Sequence, residues 1–177
     1  MVKIKLYRGD DVEIREYPEY IDVLDLSWNE LTRIEWLENL VNLKGLYLSN
    51  NKLTRLEGLE NLVNLEKLYL SNNKLTRIDG METLVNLETL DLSWNKLTRI
   101  EGLENLVNLR ALDLSGNKLV IIGSRDEFYR INANRIKIGC MLESIEFWKQ
   151  NYEEIGREQG YSETEIEEYR KLIFEED

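Results

Sequence analysis

The sequence predicts an α/β repeat solenoid, because one pattern recurs five times without an insertion. The copies have the order L-x-x-L-x-L-x-x-N-x-L, with isoleucine at the first position of the first copy, and they start at residues 21, 43, 65, 87 and 109, always 22 residues apart. Further apolar positions follow the asparagine of each copy with the same spacing. Tandem copies of one unit predict a stack of coils in which each coil buries the open face of its neighbour.

The leucine pair at the centre of the motif predicts the strand of each coil. Alternating residues of a strand share a face, so both leucines point inward and the residue between them points outward. All five copies keep this pair, as Leu24/Leu26, Leu46/Leu48, Leu68/Leu70, Leu90/Leu92 and Leu112/Leu114. Adjacent strands lie about 4.8 Å apart, so equivalent outward residues form columns across the predicted sheet.

Stability requires the whole array, because a single coil buries too little. Each copy offers about seven inward apolar side chains, and burying one of them contributes roughly 1.5–3 kcal/mol. Ordering the backbone opposes folding by about 1–2 kcal/mol for every residue. A coil becomes stable only when its neighbours cover it, so we expect one continuous unit of five repeats over residues 21–123.

An asparagine follows the strand of every copy, at the point where the chain turns. The five are Asn29, Asn51, Asn73, Asn95 and Asn117. A side-chain amide both donates and accepts hydrogen bonds, so it can satisfy backbone groups of adjacent coils in a buried turn. We interpret this column as structural in preference to a polar ligand site.

The order of these positions resembles the leucine-rich repeat. Residues 95–109 read Asn-Lys-Leu-Thr-Arg-Ile-Glu-Gly-Leu-Glu-Asn-Leu-Val-Asn-Leu, which is similar to the SDS22-like subclass of that family. The resemblance implies a right-handed horseshoe with a parallel sheet on its concave side and short 3₁₀ or extended segments on its convex side. It also implies that a partner, usually a protein, binds the concave face, without identifying that partner.

Residues 1–20 precede the first full copy and are expected to cap it. An uncapped end of a solenoid exposes apolar side chains and an open strand edge. Three alternating apolar residues predict a strand here: Val2, Ile4 and Leu6. The segment is either a degenerate coil or a hairpin that turns at residues 9–11, and both alternatives give an N-terminal β-type cap.

Residues 124–177 are predicted to close the other end of the array. The repeat frame continues weakly beyond the fifth copy, with Phe128 and Ile136 at apolar positions of the motif. This weak continuation predicts a degenerate sixth repeat that ends near residue 138.

The period then changes to that of a helix. Apolar residues recur at intervals of four and three from Met141 onward, and the sequence at Ser162–Glu165 is typical of a capping box before a second helix. We expect an αα-hairpin over residues 140–174 that acts as a C-terminal helical cap. The alternative role for these helices is a dimerisation or partner-binding surface.

The outward strand positions predict where a partner would bind. They place two adjacent tyrosines between tryptophans and aspartates, a combination typical of protein-binding surfaces. The candidate partner-binding residues are Asp25, Trp28, Tyr47, Asn50, Lys67, Tyr69, Asn72, Asp91, Trp94 and Asp113. The alternative is that these side chains merely stack along the sheet and stabilise it.

Composition excludes several classes of function. The formal net charge of −11 argues against binding of nucleic acid or of anionic membranes, whereas it suits a partner with a basic surface. The sequence has one cysteine and no histidine, so neither a disulfide framework nor the usual histidine-based metal and nucleophile sites can form. We expect a cytoplasmic protein without cofactor or metal, monomeric unless the C-terminal helices form a dimer.

These features predict a non-catalytic scaffold that binds a protein or peptide on the concave face of its sheet. A second hypothesis is a consensus-like or engineered repeat scaffold without an evolved ligand, because the copies are nearly identical. A third is a carboxylate-based hydrolase, since paired carboxylates can hydrolyse glycosides at a fixed separation. Its candidate residues are the concave aspartates or Glu143, Glu146, Glu153 and Glu154.

Overall fold

The structure, a computed structural model, describes residues 1–98, 103–118, 128–132, 135–138, 141–158, 160–164, 166–167 and 170. The chain divides into two compact units, Met1–Leu119 and Val120–Asp177. Each unit is described by itself. The first contains the repeats and the N-terminal segment, and the second contains a small sheet and the C-terminal helical residues.

The five motif strands form one parallel sheet in the first unit, as predicted. They are β3 (Val23–Asp25), β5 (Gly45–Tyr47), β6 (Lys67–Tyr69), β7 (Thr89–Asp91) and β8 (Ala111–Asp113). Their order in the sheet is their order in the chain, and the first leucines of the five motifs pair with one another in register. The second leucine of each motif lies just beyond its strand and is also buried.

Short 3₁₀ turns recur in the first four coils. They span Leu37–Asn39, Leu59–Asn61, Met81–Thr83 and Leu103–Asn105. A glycine with φ of +84° precedes the second of them, and a Cβ atom on this Gly58 would lie 2.9 Å from Glu38 Oε2 and 3.0 Å from the Glu38 backbone nitrogen. Neighbouring coils approach closely here, so a larger residue would require Glu38 to shift, and its backbone would be strained at this φ. Trp36 takes the equivalent place in the first coil, which has no preceding repeat.

The asparagine column joins the coils, as predicted. The Asn73 Oδ1 atom accepts a hydrogen bond from the Leu53 backbone N–H at 3.0 Å. Its Nδ2 group donates to the carbonyl oxygens of Leu48 at 2.9 Å and Leu70 at 3.1 Å. Each amide thus satisfies backbone groups of its own coil and of the preceding one, and the same bonds recur at Asn51, Asn95 and Asn117.

The N-terminal segment is a hairpin, which confirms one of the two predicted alternatives. Its strands are β1 (Val2–Arg8) and β2 (Asp11–Tyr17), and β1 also pairs with β4 (Arg33–Glu35). Both pairings are antiparallel and lie outside the five-stranded sheet, so the degenerate-coil alternative is wrong. The hairpin covers the core of the first coil because Ile4 and Leu6 are fully buried.

Arg8 completes the hydrogen bonding of the first coil, where no preceding repeat is present. Its Nε atom donates to the Asn29 carbonyl oxygen at 2.7 Å, and its Nη2 atom donates to Asn29 Oδ1 at 3.2 Å. Its Nη1 atom forms an ion pair with Glu13 at 2.9 Å, and Arg15 donates to the same carboxylate. The guanidinium groups of Arg15 and then Arg8 lower the pKa of Glu13 from its ordinary 4.5 to about 2.

The second unit differs from the prediction over its first half. Residues 128–144 include three antiparallel strands, β9 (Phe128–Asn132), β10 (Arg135–Ile138) and β11 (Met141–Ser144), in a sheet of their own. The predicted sixth repeat is therefore wrong over the described residues, since its strand does not extend the parallel sheet. The predicted helix start at residue 140 is also wrong, because residues 141–144 pair with β10. Only two residues, one of them glycine, separate β10 from β11 in the sequence. So short a connection favours a hairpin over the start of a helix.

The helical part of the prediction holds from Ile145 onward. Helix α1 spans Ile145–Glu158, and residues 163–164, 166–167 and 170 are also helical. A Cβ atom on Gly156 would lie 2.9 Å from Ile166 Cγ1, so the two helical segments contact each other at this glycine. The helix of the described chain is too short and too polar to span a membrane.

Removal of one amide from the asparagine column should destabilise the repeats strongly. Asn73→Ala leaves the Leu53 backbone N–H without a partner. It also removes one of two amide donors from each of the Leu48 and Leu70 carbonyl oxygens, which keep their bonds from Asn51 and Asn95. An unsatisfied buried group costs about 1–3 kcal/mol. We expect a loss of about 1–3 kcal/mol in the free energy of unfolding, measured by urea denaturation. Asn61→Ala is the matched control: its side chain is exposed and should change stability by less than about 0.5 kcal/mol. Equal losses in the two variants would contradict the structural role.

Acid should destabilise the N-terminal cap through Glu13. Because its pKa is lower in the folded protein, Glu13 stabilises the fold above pH 4.5, and this contribution is lost as the pH falls toward 2. Glu13→Gln should therefore flatten the decline of unfolding free energy over this range. Arg15→Gln should flatten it similarly, since it removes the strongest cause of the shift. Curves parallel to that of the unmodified protein would show that this ion pair contributes nothing.

Candidate functional site

The outward residues of the parallel strands, together with the residue before each motif asparagine, form one surface, called the sheet face here. The structure places all ten predicted residues on it. The sheet face consists of three columns: Val23, Gly45, Lys67, Thr89 and Ala111; Asp25, Tyr47, Tyr69, Asp91 and Asp113; and Trp28, Asn50, Asn72, Trp94 and Gly116. Backbone hydrogen bonds from the third column to the next coil continue the sheet pairing to this level, for example from Trp94 to the Ser115 carbonyl at 2.7 Å.

Two tyrosines occupy the centre of the sheet face. The rings of Tyr47 and Tyr69 are stacked, with centroids 5.0 Å apart and planes inclined by 10°. A Cβ atom on Gly45 would lie 3.1 Å from Tyr47 Cε2, so the Tyr47 ring lies over this glycine. Stacked aromatic pairs contribute about 0.5–1.5 kcal/mol beyond their burial. The pair stabilises the sheet, yet both rings stay half-exposed, so a partner could contact them without rearrangement.

Three aspartates flank the tyrosines in the same column. One carboxylate oxygen of each accepts a hydrogen bond from the backbone N–H two residues later: Asp25 from Ser27 at 2.8 Å, Asp91 from Ser93 at 3.0 Å and Asp113 from Ser115 at 2.9 Å. These bonds orient the carboxylates. Among the described residues, the second oxygen of each has no hydrogen bond and no ion pair, so all three negative charges remain available to a partner.

The tryptophans of the third column have an unusual backbone conformation. Trp28 and Trp94 have φ of +60° and +54°, in the left-handed region. The other residues of the column also have positive φ, but they are Asn50, Asn72 and Gly116, the residue types that adopt it readily. For a tryptophan this conformation costs on the order of 1–2 kcal/mol. Burial of the indoles offsets little of this conformational cost, because Trp28 and Trp94 are 77% and 68% exposed.

Local contacts fix the direction of Trp94. A Cβ atom on Gly116 would lie 2.8 Å from Trp94 Cδ2, so the indole lies across this glycine. One ring face of Trp94 therefore contacts backbone, while the other is open to solvent. Between the two tryptophans, the Asn72 Nδ2 group donates to Asn50 Oδ1 at 2.7 Å, which holds these exposed amides together. Lys67 is exposed and has no ion pair within the described chain.

A second asparagine column was missed by the sequence analysis. Its members donate from Nδ2 to a carbonyl oxygen of the segment before: Asn42 to Glu19, Asn64 to Val41, Asn86 to Val63 and Asn108 to Val85, at 2.8–2.9 Å. The signal was present as Leu-Val-Asn-Leu in four copies. The valines of this tetrapeptide are exposed and form a stripe away from the sheet face: Val41, Val63, Val85 and Val107.

The carboxylates of the hydrolase hypothesis gain no support from their surroundings. Glu153 accepts a hydrogen bond from Tyr152 and pairs with Arg157 at 3.2 Å, and these contacts lower its pKa. A carboxyl group with a lowered pKa stays ionised and is a poor proton donor. Glu154 is exposed, and the side chains of Glu143 and Glu146 lie outside the described part of the chain. No group of three or more acidic, cysteine or histidine residues in the described segments could hold a metal ion.

Comparison with known proteins identifies the repeats. A family model described as "Leucine Rich repeats (2 copies)" matches residues 21–61, 41–83, 63–105 and 85–124, which together span more than half of the chain. Among solved structures, a leucine-rich repeat protein of Leptospira interrogans is 39% identical over 48% of this chain and 22% of its own, with a TM-score of 0.46. An internalin of Listeria monocytogenes is 34% identical over 47% of this chain and 24% of its own, with a TM-score of 0.45.

The matched part of this chain thus spans less than a quarter of either of these two proteins. No curated protein matches the chain. The family assignment depends on the repeat match together with the in-register parallel strands. The chain belongs to the leucine-rich repeat family.

Proposed function

We propose that this protein is a non-catalytic interaction module that binds a protein or peptide through its sheet face. Leucine-rich repeat proteins commonly serve as protein-interaction scaffolds. The observation that carries the proposal is the pair of exposed tryptophans beside a half-exposed tyrosine pair on one face. Exposed tryptophan and tyrosine are the residues most enriched among those that dominate binding energy.

The partner should have a basic surface. The sheet face carries three aspartates whose charges are uncompensated by described residues, against the single cation of Lys67. Electrostatic complementarity of this kind steers association and selects partners. The net charge of −11 means that the chain as a whole also attracts a basic partner.

The tryptophans also favour an evolved partner over a consensus-like or engineered scaffold without a ligand. A scaffold built for stability would keep asparagine or glycine throughout the third column, because these residues suit the left-handed conformation. Trp28 and Trp94 depart from that rule at two exposed sites. Such departures are expected where function opposes stability.

Several finer features belong to the same proposal. We propose an SDS22-like, right-handed horseshoe in which the sheet face is concave and the C-terminal helices cap the repeats. We further propose a cytoplasmic monomer, with dimerisation through those helices as the alternative. The in-register parallel strands and the recurring 3₁₀ turns support the horseshoe.

A random peptide display selection tests the binding face. Peptides selected on the unmodified protein should bind the double variant Tyr47→Ala/Tyr69→Ala at least about tenfold more weakly, since each lost aromatic anchor costs 1 kcal/mol or more. Affinity is measured by isothermal titration on variants whose circular dichroism is unchanged. The control is Val63→Ala/Val85→Ala, which alters an exposed stripe away from the sheet face and should bind normally. Selected peptides that bind the tyrosine variant normally but lose affinity for the valine variant would contradict the proposal.

A further inference from the structure

We propose that Trp28 and Trp94 are paired anchors for two cationic side chains of one extended partner segment that crosses the strands. This inference rests on the proposed function of the sheet face and specifies the partner's chemistry and spacing.

The repeat does not require tryptophan at these two positions, although the Trp94 indole packs across Gly116. Both residues are in the left-handed region and both are mainly exposed. Their column otherwise contains asparagine and glycine, which adopt this conformation at low cost. An unfavourable conformation maintained at an exposed site points to a role outside the fold.

Both indoles are suited to a cation, and the described part of the chain does not supply one. Lysine and arginine bind the faces of indole rings, and each tryptophan shares its coil with an aspartate of the sheet face, Asp25 or Asp91. In the part of the chain that the structure describes, cation–π contacts involve Lys5 and Arg33, at the N-terminal hairpin. There Trp36 already has Lys5 Nζ 5.7 Å from its ring centroid. Trp28 and Trp94 have no such cation within the described segments.

The distance between the two tryptophans suits an extended partner segment. Trp28 and Trp94 belong to coils separated by three strand spacings, or about 14 Å. An extended chain covers this distance in about four residues, and side chains four apart share a face. The amides of Asn50 and Asn72 lie between the anchors, where an extended backbone has free N–H and C=O groups to bind. A helix would cover the distance in about nine residues but has no free backbone groups in its middle.

Defined peptides test this inference directly. The probe is a nine-residue Gly/Ser peptide with arginine at positions 3 and 7, and binding is followed by tryptophan fluorescence and isothermal titration. Replacing both arginines by citrulline, which is isosteric but neutral, should weaken binding at least tenfold. Moving the second arginine to position 6 should also weaken it, because the two side chains then point to opposite faces. Equal binding of the arginine and citrulline peptides, or of the two spacings, would overturn the inference.

The matched protein variants separate an anchor from a structural residue. Trp28→Asn/Trp94→Asn should lose at least tenfold in affinity for the arginine peptide while its melting temperature is unchanged or higher, because asparagine suits the left-handed conformation. Trp36→Gly introduces the residue that the other coils have at this position, and this variant should retain full affinity. Normal binding by the Trp28/Trp94 variant, or a lower melting temperature, would contradict the inference.

Failure of this inference differs from failure of the proposed function. Display-selected peptides that need Tyr47 and Tyr69 but carry no paired cations would overturn the cation anchors and leave the sheet face as the binding surface. Selected peptides that bind the tyrosine variant and the Trp28→Asn/Trp94→Asn variant normally but lose affinity for the valine variant would overturn both.

Discussion

The fold depends on one interaction, the buried asparagine amide that connects each coil to the one before it. The motif turns the chain inside the core, where backbone groups cannot bond to water, and an unsatisfied group would cost as much as several apolar contacts contribute. The amide of Asn73 satisfies three such groups at once, in two coils. Because the same bonds recur from the second coil onward, the strands align in register and the outward residues form straight columns. The geometry of the sheet face is therefore a consequence of the asparagine column.

The first coil shows what this interaction requires at an end of the array. Asn29 has no preceding repeat to bind, and Arg8 of the hairpin takes that role with two hydrogen bonds. Glu13 and Arg15 hold the region in place through a shared ion-pair network. Trp36 is tolerated at a position that demands glycine elsewhere, again because no earlier coil approaches it. The same rule thus explains both the regular coils and the irregular one.

The sequence predicted what the repeat determines and failed where the repeat ends. The 22-residue period was enough to predict the parallel strands, their register, the inward leucines and the role of Asn73. Each copy supports the same structure independently. Residues 141–144 were assigned to a helix since Met141 fits a helical period, but local pairing with β10 outweighs so short a pattern. Arg8 was missed because its bond to Asn29 joins two segments with no shared pattern. The positive φ of Trp28 and Trp94 was missed as well, although asparagine and glycine in the same column are the signal that could have indicated it.

The central claim is that a partner segment binds across the sheet face on Trp28 and Trp94. The most direct measurement is a ¹H–¹⁵N spectrum of the four indole N–H groups, titrated with the arginine peptide. Each tryptophan gives one indole signal, and two of them, Trp36 and Trp148, are not members of the sheet face, so they serve as an internal reference. The account predicts that the signals of Trp28 and Trp94 shift together with one dissociation constant while those of Trp36 and Trp148 stay in place. A shift of Trp36 or Trp148 without Trp28 and Trp94 would contradict it.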